Sequence, residues 1–451
     1  MTTSTDAGGT GSERTPPPSD HTLSEPTADE KDMARPEDEK LDDDDLDYPD
    51  GGVNAWRVVF GSWCAMFGCF GVWNSVGVFQ AYLSENQLSN YTQGNISWIF
   101  STFSFLFFFC GVQIGPIFDA YGLKPLVIPG SIGFVLSIML FSLSKEYYQF
   151  FLSFSVLGGI SCSLMFTPSI AAVNQWFNVR RGLATGVATT SGGFGGVVFP
   201  IVVRALIPKV GFGWTLRTVG FICLLSSTLA VLCLRTRFPP NKVSGATIDL
   251  SAFSDRRFAA TACATFMIEW ALTIPQTYFT SFALYKGVDP TFAYQMIAIL
   301  NGSSVFGRWL PGYVADRFGR FNTMIVTIFL CAVFSLSLWL TSSAVDGKNT
   351  GLMIAYLVCF GFASGSGISL TPVCLAQISN MREYGKRYGT TFSFASLGTL
   401  TGVPIAGAIL TASNGHYTGL IGFCGACYFV CLLFLILARG FGGGWKLTNV
   451  Y

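Results

Sequence analysis

The 451-residue chain predicts an all-α integral membrane protein, with about twelve spanning helices arranged as two six-helix lobes. Three observations carry that expectation. The composition is 51% hydrophobic and 15% aromatic with only 12% charged residues, roughly half the charged share of a soluble domain, which is too little polar surface to coat a protein in water. Beyond residue 50 the chain falls into apolar runs of the roughly 20 residues a helix needs to cross the hydrocarbon core. A motif near the end of the second run also recurs near the end of the eighth, the mark of a duplicated half.

Residues 1–50 hold 16 of the 26 acids and 4 of the 27 bases, leaving 10 acids and 23 bases for the rest. This segment is rich in Pro, Ser, Thr and Gly, contains the run Asp42 to Asp45, and has no apolar stretch that could form a core. It is expected to be a disordered acidic cytoplasmic tail. It lacks the basic start and apolar stretch of a secretory signal, so the first span is expected to direct targeting.

The apolar runs lie at roughly 56–82, 96–118, 124–144, 147–175, 183–207, 216–236, 257–284, 291–314, 322–344, 351–376, 389–411 and 417–438. The longest polar interruption, residues 237–256, leaves six runs on either side. The expected organisation is therefore a tail (1–50), a first lobe (51–236), a cytoplasmic linker (237–256), a second lobe (257–440) and a short cytoplasmic tail (441–451).

Bases concentrate in the loops after even-numbered runs, at Lys124, Arg180, Arg181, Arg235, Arg237, Lys242, Arg256, Arg257, Arg317, Arg320, Arg382, Lys386 and Arg387. Basic residues resist translocation, which puts these loops and both termini in the cytoplasm. The sequons at Asn90 and Asn95 fall in the first loop of the other side and are candidate glycosylation positions. The thirteen cysteines are scattered through apolar runs as small hydrophobes. Cys424 and Cys427 form a CxxC with no second pair, and with two histidines in the whole chain no metal site is expected.

The repeat reads Gly115-Pro-Ile-Phe-Asp119-Ala-Tyr-Gly122-Leu-Lys124 and, 197 residues later, Gly312-Tyr-Val-Ala-Asp316-Arg317-Phe-Gly319-Arg320. Thr167-Pro168 is echoed by Thr371-Pro372, and the stretch Gly196 to Pro200 by Gly402 to Pro404. Two halves in one topology form a parallel six-plus-six repeat. The doubled motif resembles the signature of the major facilitator superfamily. Tyr48-Pro49-Asp50-Gly51-Gly52 with Ala55-Trp56 at the mouth of the first span is similar to the monocarboxylate transporter family, fungal type. Arg180-Arg181-Gly182 and the glycines 192, 193, 195 and 196 agree with it, and the resemblance covers residues 48–440. It implies a secondary transporter of a small organic solute, monocarboxylate-type, with protons as a candidate coupling ion; the expected address is the plasma membrane, with a vacuolar or other internal membrane as the alternative.

An ionised side chain at mid-bilayer costs on the order of 2.5–3.5 kcal/mol even on lenient scales, so charges inside the runs mark function. Arg308 in the eighth run is the candidate substrate or gating charge, and the resemblance places an arginine there. Glu269 is the acid deepest in an apolar run and the candidate proton-coupling group. A structural Glu269–Arg308 pair or a carbonyl-bonded helix contact is the alternative for both. Asn74, Tyr278 and Asn301 are candidate substrate or gating groups, although such residues also serve as helix–helix contacts. Gly115, Asp119, Gly122, Gly312, Asp316, Arg317, Gly319 and Arg320 form the conformational motif. Arg204 is expected to snorkel to the surface.

The sequence departs from the monocarboxylate pattern twice. Asn74 stands where lactate-type carriers have a lysine, and Ser304 stands where they have an aspartate one turn before the arginine. An exporter of a fungal secondary metabolite is the alternative function, and a non-transporting membrane sensor a third. No GxxxxGK[ST] segment is present to cradle nucleotide phosphates and no catalytic triad is apparent, so neither an ATP-driven pump nor an enzyme is expected. The expected partners are a small organic solute, protons and the lipid bilayer, with no cofactor and no nucleic acid.

Overall fold

A computed structural model describes residues 48–240, 250–345, 347, 349–445 and 451. The chain divides into Met1–Leu46 and one compact unit, Asp47–Tyr451, and every described residue lies in the second. Most of the acidic tail and the middle of the expected linker, residues 241–249, therefore lie outside the described residues. Among the described residues all regular structure is helical.

In the N-terminal half, α1 (Gly52–Glu85), α2 (Gly94–Tyr121), α3 (Lys124–Leu143) and α4 (Tyr147–Trp176) run in succession. One continuous 53-residue stretch, Arg181–Cys233, follows, and it folds back at Gly211 (φ 75°, ψ 167°) into α5 (181–210) and α6 (212–233). The C-terminal half comprises α7 (Arg256–Tyr285), α8 (Pro290–Phe318), α9 (Arg320–Ala344), α10 (Thr350–Gln377), α11 (Tyr384–Ala412) and α12 (Thr418–Gly443). Ten segments pass as spanning by length and composition. Counting the folded stretch twice and adding the 29-residue α8 gives the twelve crossings expected from the sequence. Helix α8 falls outside the ten, and it is the helix that holds Asn301, Ser303, Ser304 and Arg308.

The helix ends follow local chemistry. Thr92 Oγ1 accepts from the Asn95 N–H at the head of α2, Glu146 and Gln149 form a reciprocal capping box at α4, and Asp255 and Asp289 cap α7 and α8. Between the fifth and sixth spans a loop over 208–215 was expected. The structure keeps this stretch helical except at Gly211, because one residue with positive φ reverses the chain without a polar loop.

Helix α1 packs on α4 and α5, α7 on α11 and α12, and α8 on α10. The halves meet where α5 lies against α8 and α10, and where α11 lies against α2 and α4. Large apolar side chains cover the outside: Ile132 on α3 is 64% exposed and Leu225 on α6 is 65% exposed. Burying one such side chain stabilises by about 1.5–3 kcal/mol relative to water, and on this surface lipid supplies the apolar medium. The face carrying the α2–α3, α4–α5, α6–α7, α8–α9 and α10–α11 loops is called the basic face below.

Candidate functional site

The seam between the halves is built on glycine. Inside the N-terminal half, Gly195 seats α5 against α1: a Cβ there would come within 2.9 Å of the Gly71 Cα. Gly193 and Gly196 face Asn301 and Ser304 of α8, and a Cβ at Gly192 would collide with the Arg308 guanidinium. From α10, Gly365 closes on Ser304 O and the Arg308 side chain. Small residues at these points let three helices converge on one cation.

Arg308 is 5% exposed. Its Nη1 donates to the Thr189 carbonyl of α5, across the seam. Its Nε is buried without an acceptor, and among the described residues no carboxylate lies within 4 Å of it. Glu269 on α7 is also 5% exposed and makes neither an ion pair nor a hydrogen bond among the described residues. The structural Glu269–Arg308 ion pair is therefore not formed, whereas Arg308 does make the other structural contact expected of it, a bond to a backbone carbonyl of a facing helix. The Tyr388 hydroxyl of α11 is buried with no hydrogen-bond partner among the described residues.

The neutral candidates all make helix contacts. Asn74 Nδ2 donates to Phe70 O at 2.8 Å and to Gly192 O at 3.4 Å, which brings it beside the Arg308 cradle. Asn301 Nδ2 donates to Gly196 O at 3.3 Å, and Ser304 Oγ donates to Asn301 O at 2.8 Å. Tyr278 Oη donates to Val403 O at 2.9 Å. Arg204 is exposed, with its guanidinium 4.5 Å from the Tyr294 ring centroid.

Sequence reasoning missed an aromatic wall. Tyr384, Tyr388 and Phe392 recur every four residues on α11 and lie along one face. Phe392 stacks on Phe108 of α2 at 5.9 Å and meets Phe166 of α4 edge-on at 6.0 Å. Trp73 joins through Phe108 at 6.2 Å and donates from Nε1 to Ser104 Oγ at 2.9 Å. The four-residue spacing on α11 was visible in the sequence; its partners on α1, α2 and α4 were not.

On the basic face the repeated motif closes two clasps. Asp119, 7% exposed, follows α2 toward α11 and accepts from Gly385 N at 3.1 Å and Lys386 N at 2.7 Å. Asp316 on α8 accepts from Gly182 N at 2.7 Å and Leu183 N at 2.8 Å, at the head of α5. Each carboxylate thus satisfies amide donors in the first turn of a helix of the opposite half, where the helix dipole favours negative charge. Gly115 and Gly312 make the approach possible, since a Cβ on either would run into the carbonyl of Gly385 or Gly182. Gly122 and Gly319 end α2 and α8 with φ of 83° and 99°. Arg320 donates across the seam to Asn178 O. Arg317 stays on its own helix, 4.4 Å from the Tyr313 ring centroid.

At the other end of the molecule, Asn90 is exposed in the turn between α1 and α2, whereas Asn95 sits in the first turn of α2 with its carbonyl bonded to Tyr147 Oη. Cys424 and Cys427 are free thiols, and Cys424 Sγ donates to Ala271 O.

The Major Facilitator Superfamily model matches residues 58–366. The chain is 39% identical over 406 residues to the MFS transporter asaE of Aspergillus flavus, covering 89% of this chain and 90% of that one. It is 37% identical over 370 residues to the fujikurins efflux protein of Gibberella fujikuroi, covering 81% and 78%. To the riboflavin transporter of Saccharomyces cerevisiae it is 35% identical over 426 residues, covering 88% and 80%. Among solved structures, the proton:xylose symporter XylE matches with a TM-score of 0.69 at 14% identity, over 84% of this chain and 94% of that one, a likeness of fold alone. A multi-pass helical membrane protein with these relatives is a transporter and not an enzyme, and the chain belongs to the major facilitator superfamily.

Proposed function

We propose that this chain is a fungal exporter of an acidic secondary metabolite, working by alternating access between lobes 51–236 and 257–440 about the linker 237–256. The observation that carries this reading is Arg308: a buried guanidinium with an unpartnered Nε, no carboxylate beside it and a cradle of glycines around it. A cation so placed favours an anionic group on a solute. Neutral Asn74 and Ser304 leave that charge uncompensated, and the aromatic wall of Trp73, Phe108, Phe166 and Phe392, whose phenylalanines are buried against one another in this conformation, would give flat apolar surface to a body larger than a short-chain acid once the lobes part. The relative named for efflux of fujikurins supports the direction.

In this reading the basic face is cytoplasmic, the membrane is the plasma membrane, and Asn90 is the glycosylated sequon. The Asp119 and Asp316 clasps shut the cytoplasmic side, so the conformation described faces outward, after solute release. Opening them presents Arg308 to the cytoplasm.

A second reading keeps the narrower family resemblance, with the chain as a proton-coupled carrier of a small monocarboxylate and Glu269 as the coupling group. The isolated, buried Glu269 carboxyl favours it.

Uptake into proteoliposomes of labelled short-chain monocarboxylates, dicarboxylates, aromatic carboxylic acids and neutral metabolites, with and without an inward proton gradient, separates the two. Export of acidic metabolites predicts selective transport of the larger aromatic acids. Arg308→Ala is expected to lower it at least tenfold, since a lost hydrogen bond to a charged group costs about 1.5–3 kcal/mol. Undiminished transport by a folded Arg308→Ala protein sinks the anion-contact mechanism. Gradient-driven accumulation of short-chain acids alone, abolished in Glu269→Gln, transfers the assignment to the second reading.

A further inference from the structure

The segment Tyr48–Gly52 at the mouth of α1 plays no part in the solute path or in the two clasps themselves. Asp50 stands at φ 48°, a left-handed conformation rare for a residue with a side chain. That conformation puts its carboxylate under the α4–α5 loop, where Oδ1 accepts from Asn178 N at 2.8 Å and Arg180 N at 3.1 Å. The Asp50 N–H donates to Trp176 O at 3.2 Å. Trp56 meets Phe177 edge-on at 5.5 Å, and the Arg181 guanidinium lies 5.6 Å from the Tyr48 ring centroid. The strap therefore grips the short non-helical connection between Trp176 and Arg181 along its length.

The same connection is gripped from the other side by the C-terminal half. Arg320 donates to the Asn178 carbonyl, and Asp316 takes the N–H groups of Gly182 and Leu183. A single residue, Asn178, is thus held by its N–H from the strap and by its C=O from the opposite lobe. A loop free to rotate its peptide groups would present these acceptors and donors only part of the time, and closure would have to order it at each cycle.

We propose that Asp50 is a positioning residue of the gate on the basic face, pre-forming the α4–α5 loop so that Asp316 and Arg320 engage a fixed target when the lobes close. The role belongs to the conformational cycle and is independent of which solute is carried.

The test uses the full chain with Thr185→Cys, at a position fully buried one turn inside the capped end of α5, and follows its labelling by a water-soluble maleimide above the background of the native cysteines. Asp50→Asn, which keeps the shape and removes the charge, is expected to raise the labelling rate about fivefold, and Arg320→Gln to raise it similarly. Because both act through one loop, the double variant is expected to label no faster than the faster single. Parental labelling in a folded Asp50→Asn protein overturns the proposal, as does a double variant whose effects multiply, the behaviour of two unrelated structural lesions. Should Asp50→Asn not fold, Asp50→Glu decides by the same measure: faster labelling supports the role and parental labelling overturns it. No solute enters the measurement, so its failure leaves the transport reading standing and failure of the transport reading leaves it intact.

Discussion

The two clasps on the basic face share a motif but not a construction. In the clasp of Asp316, the carboxylate is half-buried, and a second cross-lobe bond from Arg320 reaches Asn178 on a loop already braced by Asp50. In the clasp of Asp119, the carboxylate is almost wholly enclosed and works without such help: Leu123 stands where Arg320 stands in the repeat, and Ala120 where Arg317 does. The receiving end of α11 is braced instead by Arg387, which donates to Ile378 O at 2.9 Å and approaches Asp255 at 4.0 Å. One half has spread its latch over several polar groups at the surface, and the other has concentrated it in one buried carboxylate. Strength in the first depends on number; in the second it depends on the exclusion of water.

The largest effect should come from cutting the concentrated latch. Asp119→Ala strands the N–H groups of Gly385 and Lys386 in an enclosed site, and an unsatisfied buried polar group costs about 1–3 kcal/mol. The expected outcome is at least a tenfold shift toward the state open on the basic face. Asp316→Ala exposes its two amides to water and leaves the Arg320 bond in place, so a smaller shift, about sevenfold, is expected. Maleimide labelling of Thr185→Cys reads both. Equal shifts, or the reverse order, would remove the distinction between a concentrated and a distributed latch.

A smaller effect separates the two motif glycines. Both hold positive φ, so alanine at either costs about 1–2 kcal/mol in backbone strain. A methyl at Gly122 would meet only Pro240 Cγ at 3.6 Å, an ordinary contact, whereas one at Gly319 would press to 2.5 Å from the Tyr451 carbonyl. That carbonyl accepts from the N–H groups of Phe321 and Asn322, and the Tyr451 ring stacks on Phe321 at 5.3 Å. Gly319→Ala should therefore lower the melting temperature of the purified protein by several degrees more than Gly122→Ala. Indistinguishable melting curves would show that the Tyr451 contact yields without cost.

The sequence made the twelve spans legible because apolar runs of spanning length are an intrinsic property of the chain, and α8 remained legible as a run even though its polar residues take it below a strictly apolar segment. The reversal at Gly211 was not legible, because a one-residue turn leaves no polar gap to read. Arg308 and Glu269 stood out as charges in apolar surroundings. Their separation did not, since it depends on the side-chain directions of α7 and α8. Asp119 and Asp316 were recognisable from their repeat, but their partners are 266 to 267 and 133 to 134 residues away in sequence, and only the packing of the halves brings them together. Asn74 and Asn301 were read as possible solute ligands or helix glue, and the structure shows the bonds of the second kind.

The finest distinction between the clasps lies in their arginine and lysine. Arg320 reaches a backbone carbonyl of the opposite half, a partly exposed bond to a charged donor, and its net worth is about 1 kcal/mol. Lys124, the base of the first motif, is exposed and makes no hydrogen bond or ion pair among the described residues. Arg320→Gln should therefore speed labelling from the basic face about fivefold, while Lys124→Ala should stay within about twofold of the parent. If Lys124→Ala matched Arg320→Gln, the effect of both would have to be assigned to the net positive charge of the face, acting at long range. A high-salt measurement would then erase both effects together, whereas a directed bond from Arg320 to Asn178 should survive screening and keep the two variants apart.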